Sequence, residues 1–441
     1  MNTTQKYPPF VPQQLPKVAH GRGSWITDQD GKEYLDGSGG PAVFCIGHGD
    51  ARVNAAIMAQ FEQIAQGYRS MFDSDPLQDL TTLIQKNCGG GLSDMLFVSG
   101  GSEAVEACLK IALQYQQAIG QANRTRFIAR QRSYHGNTLG ALSVSGYPMR
   151  RALFKDSLLP VSFVSAANEY RPPEGVSAGD VPEFAANELE AEILQLGEEN
   201  VCAFIMEPVV GAAGCVVPAP AGYAQAIQAV CQKYGVLLIA DEVMSGSGRM
   251  GTWRALEHDG VLPDIMSIAK GLGGGYLPLA AAVYQGKIGD ALRETHGGLM
   301  TGHTFMGHTA ACASALKVQQ IIAEENLLKR VREKGEWLGA ELQSRLGHHP
   351  HVGNIRGRGY FWGIELVEDR EAKQPFNPDL QMHARFGQAL RNEGLLLYPV
   401  TGFVEDRTGD GAIVAPAYNA TDSDLDEIVG RAEMALTKLF G

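Results

Sequence analysis

Between residues 95 and 269, short runs of consecutive apolar residues recur, and each run ends at a polar residue. Continuous apolar runs without alternation are typical of strands that are buried on both faces of a parallel sheet. Helical patterns lie between them. The runs cover residues 95–98, 127–129, 202–206, 236–240 and 265–269. We therefore predict that these runs form strands of one mostly parallel sheet.

The segment before the fourth run shows helical periodicity. Its apolar residues 223, 227, 230, 231 and 234 are spaced i, i+4, i+7, i+8 and i+11, which places them on one stripe of a helix. Gly235 stands just past this stripe, where a glycine commonly ends a helix. Strands that alternate with helices predict an α/β domain, which we place at residues 61–320.

The last part of the chain has a different pattern. We predict a strand at 360–366, a helix near 379–393, two further apolar segments at 395–398 and 412–415, and a terminal helix from about 422 to 439. This mixture predicts a smaller α+β domain at residues 321–441. The first 60 residues are rich in proline and glycine, and we expect them to pack with that domain.

Length and charge narrow the class of protein. A chain of 441 residues exceeds what one hydrophobic core usually serves, so a large and a small domain are expected. The formal charge of 37 − 49 = −12 repels phosphate backbones and argues against nucleic acid as a partner.

The seven cysteines form no C-x-x-C pair and mostly lie in apolar segments, which predicts reduced core thiols. The first residues, 1–5, do not begin a basic region followed by an apolar stretch. No segment reaches about 18 consecutive apolar residues, the length of a membrane span. We therefore expect a soluble cytoplasmic protein with no membrane partner.

Polar residues and glycines directly follow four of the predicted strands. Ser99 to Ser102 follow the first, and Glu207, Asp241 and Lys270 each follow a later one. In open parallel sheets, ligands bind along the edge formed by the carboxyl ends of the strands. One buried charge after a strand is often structural, but several at one edge predict a binding site.

Lys270 and Asp241 are the candidates for chemistry at this edge. Partial burial of Lys270 would lower the pKa of its amine and make it nucleophilic, and the following glycines would let the backbone approach a flat ligand. The alternative is a solvated lysine. Buried Asp241 needs a cationic partner, and a protonated pyridine nitrogen is one whose ring draws off the electrons left when a substrate Cα proton departs. Its alternative is a structural salt bridge or a helix cap.

Three further positions could contact a cofactor. Residues 99–103 join a strand to an amphipathic helix, which makes a phosphate site, although a plain serine N-cap fits equally. Tyr134 could stack on a cofactor ring, or Tyr134 and the adjacent His135 could be a core tyrosine and a hydrogen-bonded histidine. Thr304 begins a predicted helix, where it could be an N-cap or a second phosphate ligand.

Several strings of the sequence resemble the class III aminotransferases, which are pyridoxal-phosphate (PLP) enzymes of fold type I. The most specific are Asp-Glu-Val at 241–243, the Gly-Arg-x-Gly turn at 248–251, Pro-Asp at 263–264 and Ala-Lys-Gly at 269–271. The segments 31–36 and 47–49 add to the resemblance, which runs from about residue 31 to 416.

The resemblance implies roles around the cofactor ring. Lys270 would be the Schiff-base lysine and would carry the proton between Cα and C4′. Asp241 would pair with the pyridine nitrogen. Val243 would pack on one ring face and Tyr134 on the other, and Glu207 would support the hydrogen bonds at the side of the ring.

The resemblance also implies a phosphate site and a dimer. Gly101 and Ser102 would hold the phosphate, and Thr304 would reach the phosphate bound in the neighbouring subunit, so a homodimer or a dimer of dimers is expected. The chain looks most like the ω-amino acid or amine:pyruvate group. Arg407 is the candidate for its substrate carboxylate, and the alternative is a solvated loop arginine beside Glu405 and Asp406.

The sequence departs from the family pattern near the expected substrate side. The usual Ser-Gly-Leu-Trp segment is Ser-Gly-Gly-Pro at 38–41, so a bulky pocket wall is missing. Ser247 replaces a common phenylalanine, and the late Pro-Pro is Pro416 followed by Ala417. These changes concern the size of the substrate and leave the cofactor residues as the family has them.

The predicted reaction is a ping-pong transfer from an amine or amino acid to a 2-oxo acid, either pyruvate or 2-oxoglutarate. PLP is the expected cofactor and no metal is expected. Aminomutases, decarboxylases and racemases share the fold and are the first alternative. A nucleotide-binding or scaffolding protein without PLP is the second.

Overall fold

The computed structural model describes residues 10–405 and 407–441. The first five residues, from which the lack of a leader segment was predicted, lie outside the described residues, and so does Asp406.

Strands occur in both halves of the chain and belong to several sheets. They are β1 (Val18–Arg22), β2 (Trp25–Asp28), β3 (Glu33–Asp36), β4 (Leu92–Val98), β5 (Arg126–Arg130), β6 (Val161–Val164), β7 (Val201–Met206), β8 (Val209–Val210), β9 (Val217–Pro218), β10 (Leu237–Asp241), β11 (Ile265–Ile268), β12 (Ala280–Gln285), β13 (Val352–Arg358), β14 (Phe361–Leu366), β15 (Leu395–Leu396), β16 (Tyr398–Thr401) and β17 (Asp410–Val414).

The α-helices range from single turns to 20 residues. They are α1 (Gly39–Ala42), α2 (Ala51–Gln63), α3 (Asp75–Cys88), α4 (Gly101–Ala118), α5 (Leu139–Ser143), α6 (Pro148–Arg151), α7 (Val181–Leu196), α8 (Tyr223–Tyr234), α9 (Gly286–His296), α10 (Thr309–Glu324), α11 (Leu327–Leu346), α12 (Met382–Asn392) and α13 (Asp422–Phe440).

A seven-stranded sheet in the order β4-β12-β11-β10-β7-β5-β6 forms the centre of the larger half. β12 runs antiparallel to both of its neighbours, and the other pairs are parallel. Every residue of β7 and β10 is buried, as the continuous apolar runs predicted. The five predicted strands are confirmed. β6 and β12 were not predicted, because β6 is short and β12 begins with three alanines, which do not favour a strand.

Helices cover both faces of this sheet. On one face α4 packs with Val105, Cys108, Leu109 and Ala112, the stripe that the sequence indicates. On the other face lie α3, α7, α8 and α10. α8 ends at Gly235, whose φ of 63° is left-handed and whose N–H bonds back to the last turn, so the predicted C-cap is confirmed. This arrangement leaves the carboxyl ends of the parallel strands open.

The smaller half contains an antiparallel sheet in the order β13-β14-β17-β16, against which α11 and α12 pack. The predicted terminal helix is α13, and the predicted apolar segment 395–398 is divided between β15 and β16.

The N-terminal segment joins the smaller half through a sheet in the order β1-β2-β3-β15, where β15 pairs in parallel with β3. This pairing agrees with the expected packing of the first 60 residues. The domain boundaries themselves stay a prediction, and α10 runs without a break across position 320.

All seven cysteines are buried and free, as the sequence predicts. Among the described residues, no helix combines the length and the apolar character that a membrane span requires.

Candidate active site

A cavity of about 400 Å³ opens at the carboxyl ends of β4, β7, β10 and β11. It brings together most of the site residues predicted from the sequence. Those that line it are Gly101, Ser102, Tyr134, Glu207, Asp241, Val243 and Lys270. The predicted edge of the sheet is therefore where the candidate chemistry lies.

Lys270 lies in the turn that follows β11, with a left-handed φ of 43° that is unusual for a residue with a side chain. Burial lowers the pKa of its amine from 10.5 to about 8, and the charges of Asp241 and Glu207 oppose this shift. At pH 7 about a tenth of the amine is therefore unprotonated and nucleophilic, far more than for an ordinary lysine. The solvated-lysine alternative does not hold.

Asp241 is the last residue of β10 and is 4% exposed. Its Oδ1 accepts hydrogen bonds from Ser267 Oγ at 2.9 Å and from the Val243 N–H at 3.1 Å. Its Oδ2 accepts one from His135 Nδ1 at 2.7 Å. These donors fix the carboxylate where it faces the cavity, and an ionised carboxylate there favours a cationic ring nitrogen.

His135 is a site residue to which the sequence assigned no role toward Asp241. It is 3% exposed, it lines the cavity, and its Nε2 is buried without a hydrogen-bond partner among the described residues. Nδ1 must carry the proton that Asp241 accepts, so Nε2 carries none in the neutral ring. The only signal in the sequence was its position next to Tyr134.

Glu207 holds the loop that carries Tyr134. Its Oε1 accepts from the Tyr134 N–H at 2.9 Å, and its Oε2 accepts from the Gly211 N–H at 3.0 Å. Burial raises the pKa of Glu207, while His135 and these hydrogen bonds lower it. Burial also raises the pKa of Tyr134, against the charge of Arg150. Tyr134 is thus fixed at one wall of the cavity.

The start of α4 forms another part of the cavity lining. The N-cap is Gly100, and no side chain caps the first turn of this 18-residue helix. The alternative of a plain serine N-cap is therefore wrong. Free N–H groups at the start of a helix favour the binding of a phosphate. Ser102 Oγ accepts from the Asn137 N–H at 3.0 Å. A Cβ on Gly101 would lie 3.0 Å from Val243 Cγ1, so the glycine keeps this end open.

Thr304 does not line the cavity. It is exposed in a turn before α10, and its carbonyl accepts from Gln66 Nε2 at 2.9 Å. The prediction that a helix begins at Thr304 was wrong, because α10 begins at Thr309 after His308, which caps it. A left-handed Gly307 lies between and holds the chain in a turn. The role of Thr304 toward a partner's phosphate stays a prediction.

Arg407 does not line the cavity either. Its side chain is 66% exposed, and Nη2 lies 3.6 Å from Oδ1 of the exposed Asp379. This position agrees with the solvated-loop alternative. Its role toward a substrate carboxylate stays a prediction.

Residues 9–436 match the family model of the class-III aminotransferases. The chain is a class-III aminotransferase. It is 40% identical to an aminotransferase of Gibberella zeae, over 99% of this chain and 86% of that protein. It is 33% identical to the diaminobutyrate–2-oxoglutarate transaminase of Halomonas elongata, over 96% of this chain and 90% of that protein.

Solved structures of the family have the same fold. An (S)-enantioselective omega-transaminase from Thermomicrobium roseum has a TM-score of 0.91 at 34% identity, covering 97% of this chain and 94% of that one. A PLP-bound amine transaminase from an uncultivated Pseudomonas species has a TM-score of 0.91 at 34% identity, covering 96% and 95%. The aminotransferase therefore has fold type I and uses PLP.

The residues in the cavity fit this cofactor. An amine with a lowered pKa, a buried carboxylate and an uncapped helix start line one cavity. These groups match the aldehyde, the ring nitrogen and the phosphate of PLP. A non-catalytic nucleotide-binding or scaffolding protein is excluded.

Proposed function

We propose that this aminotransferase moves an amino group from an amine or ω-amino acid to a 2-oxo acid, pyruvate or 2-oxoglutarate, by a ping-pong mechanism. The observation that carries the proposal is that Lys270 and Asp241 share one cavity with room for a small substrate. Among its relatives are proteins named diaminobutyrate–2-oxoglutarate transaminase and gamma aminobutyrate transaminase, whose donors carry an amino group away from the α-carbon.

Bound PLP supplies an aldehyde that accepts the amino group and a ring that withdraws electrons from the substrate. Lys270 Nζ would hold the cofactor, and its amine, when released, would take the proton from the donor's Cα. Its lowered pKa places it where it can both accept and release that proton near neutral pH. The same group then serves the 2-oxo acid in reverse.

Asp241 and Glu207 position other groups and do not transfer a proton themselves. Asp241 keeps the ring nitrogen protonated, and His135 and Ser267 stop the carboxylate from turning away. Glu207 fixes the backbone of Tyr134, whose ring would then pack against the cofactor. We propose that Gly101, Ser102 and the first N–H groups of α4 hold the phosphate.

We also propose that the enzyme works as a homodimer or a dimer of dimers. Large apolar side chains are exposed near the Thr304 turn, and we call them the apolar face: Tyr68 at 53%, Met71 at 75%, Phe72 at 66%, Met300 at 75% and Phe305 at 57%. Segment 65–67 bonds to residues 304–310, so these side chains belong to one region. Contiguous apolar surface of this kind favours a protein partner, and a second copy would bring Thr304 to its neighbour.

The test of the function is a panel of donors with pyruvate and 2-oxoglutarate, using the wild type, Lys270→Ala and, as a matched control, the exposed Lys155→Ala. We expect the wild type to release one oxo product for each alanine or glutamate formed. Lys270→Ala should lose transfer by at least about 10³-fold, and it should also lose the visible absorption of lysine-bound cofactor, because no other lysine of residues 10–441 lines the cavity.

Other outcomes would contradict the proposal in distinct ways. Release of carbon dioxide in place of alanine or glutamate would show a decarboxylase, and an isomerised amino acid without oxo product would show an aminomutase. An unchanged visible band in Lys270→Ala would refute the role of Lys270.

A further inference from the structure

A 2-oxo acid carries a carboxylate, and the cavity is poorly arranged to bind one. Among the described residues, Lys270 is the one lysine or arginine whose side chain lines it, and Glu207 and Asp241 line it as acids. Lys270 either holds the cofactor or is needed for proton transfer, so an incoming carboxylate would meet two acidic groups and no cation reserved for it. Because the proposed function includes such a substrate, a cation must lie close to the cavity without forming its wall.

Arg150 is a cation that meets this condition. It lies in α6, beside the wall residue Tyr134. Its guanidinium carbon is 5.5 Å from the ring centre of Tyr134 and 5.9 Å from that of Tyr147. The side chain is exposed, and it forms no hydrogen bond or ion pair with the residues that the structure describes. Its charge is therefore not neutralised.

Tyrosine side chains surround Arg150. Tyr147 is 4% exposed and its hydroxyl donates to the carbonyl of Thr401 in β16, which fixes its ring. Tyr398 begins the same strand and lies close enough to Tyr134 and Tyr147 to contribute to the raised pKa of each. Phenol hydroxyls donate hydrogen bonds to carboxylates, and aromatic faces hold a guanidinium in place. The group thus combines a cation with the hydroxyl donors of Tyr134 and Tyr398, while the Tyr147 hydroxyl is committed to Thr401.

We propose that Arg150, resting on Tyr134 and Tyr147, binds the carboxylate of the 2-oxo acid and of amino acid donors. This inference rests on the proposed function, since it names the residue that recognises its acceptor. Ordering Arg150 on a carboxylate breaks no ion pair with the described residues, so the cost is side-chain entropy and the desolvation of the two charged groups. A planar guanidinium can then hold both carboxylate oxygens.

The other arginines near this region are engaged in the structure. Arg151 donates to the carbonyls of Leu142 and Ser143, and Arg130 donates to that of Glu207. Arg407 is exposed beside Asp379. Among the arginines named here, Arg150 thus combines proximity to the wall of the cavity with a head group that has no ion pair to the described residues.

The test measures binding as well as turnover, with the PLP-loaded enzyme. Propionate and glutarate resemble pyruvate and 2-oxoglutarate but cannot react, so their dissociation constants can be followed by calorimetry. Arg150→Met keeps the apolar stem and should raise both constants by about tenfold or more, as loss of a charge-assisted hydrogen bond implies. Arg150→Lys keeps the charge and should recover part of the affinity.

A donor without a carboxylate separates this role from a structural one. The half-reaction with isopropylamine should keep its KM within about twofold in Arg150→Met, while the KM for an amino acid donor rises with the propionate constant. Arg126→Met is the matched control, because Arg126 is exposed at the start of β5, at the opposite edge of the same sheet. It should change neither constant.

The results that would overturn the inference are distinct from failure of the proposed function. Unchanged propionate and glutarate binding in Arg150→Met would overturn it, and so would a rise that appears in Arg407→Met instead. A wild type that transfers no amino group to any 2-oxo acid would contradict the proposed function, whatever the binding constants show.

Discussion

At the scale of single residues, the site depends on burying two opposite charges in one cavity. Burial lowers the pKa of the Lys270 amine, which receives no hydrogen bond from the residues described, and leaves it reactive. The Asp241 carboxylate instead receives three hydrogen bonds, which hold it in place facing the cavity. This difference assigns one group to the ring nitrogen and the other to the aldehyde.

The lowered pKa of Lys270 predicts how PLP binding to the apoenzyme depends on pH. Only the unprotonated amine attacks an aldehyde, and its pKa is about 8. The rate of formation of the visible band should therefore rise about tenfold per pH unit below 8 and level off above about 9. Stopped-flow absorbance at fixed PLP concentration measures this rate, and PLP with N-acetyl-lysine is the reference. A midpoint near that of the reference would contradict the effect of burial.

Most of the site residues could be predicted from the sequence because each follows a buried strand directly. Asp241 and Lys270 end adjacent parallel strands, so sequence position alone places them at one edge. His135 was missed because its partner lies 106 positions away, and that contact depends on how loops fold over the edge. Arg150 was missed for the same reason, since its relation to Tyr134 arises from the path of α6.

At the scale of elements, Glu242 connects the end of β10 to the turn Ala255–Asp259. It is 1% exposed, and it accepts hydrogen bonds from the N–H groups of Ala255 and Leu256 at 2.5 and 3.1 Å. Burial raises the pKa of Glu242 from 4.5 to about 7, and these hydrogen bonds oppose the shift. The segment that positions Asp241 therefore holds a carboxyl group that is costly to ionise.

Glu242 predicts a pH-dependent difference in stability. The unfolded chain loses this proton near pH 4.5 and the folded chain near 7, so the contribution of Glu242 to stability is lost as pH rises through this window. Glu242→Gln has no proton to lose. Its free energy of unfolding relative to the wild type should rise between pH 4.5 and 7 by up to about 3 kcal/mol. Urea unfolding of the apoenzymes measures this, the exposed Glu336→Gln is the control, and parallel pH profiles would contradict the prediction.

The elements differ in how well the sequence predicts them. Strands such as β7 and β10 were predicted because burial on both faces demands a continuous apolar run. The start of α10 was placed too early, because threonine suits an N-cap, whereas the left-handed Gly307 lies between Thr304 and the observed start. Conformations that depend on one glycine in a turn are not visible in hydrophobic periodicity.

At the scale of the whole molecule, the N-terminal segment and the smaller half share a sheet through β3 and β15. Residues that are 360 positions apart, Leu35 and Leu395, pair in register there. No periodicity in the sequence encodes such a pairing, although the proline-rich and glycine-rich composition of the first 60 residues suggested a segment that packs on something else. The cofactor edge is the part of the molecule that the sequence predicts best, because it depends on local strand ends.

The apolar face predicts a dimer whose loss weakens cofactor binding. Phe72→Glu with Met300→Glu places two charges on this face, and desolvating them against a second copy would cost several kcal/mol. Sedimentation should show the wild type at twice the mass of the chain, or four times for a dimer of dimers, and the variant at the mass of one chain. Its PLP dissociation constant should rise by about tenfold or more, because the partner's Thr304 turn is proposed to reach the phosphate. Met434→Glu, on the exposed side of α13, should change neither quantity. A wild type that sediments as a single chain, or a double variant that separates into monomers while binding PLP as tightly as before, would show that each active site is complete within one chain.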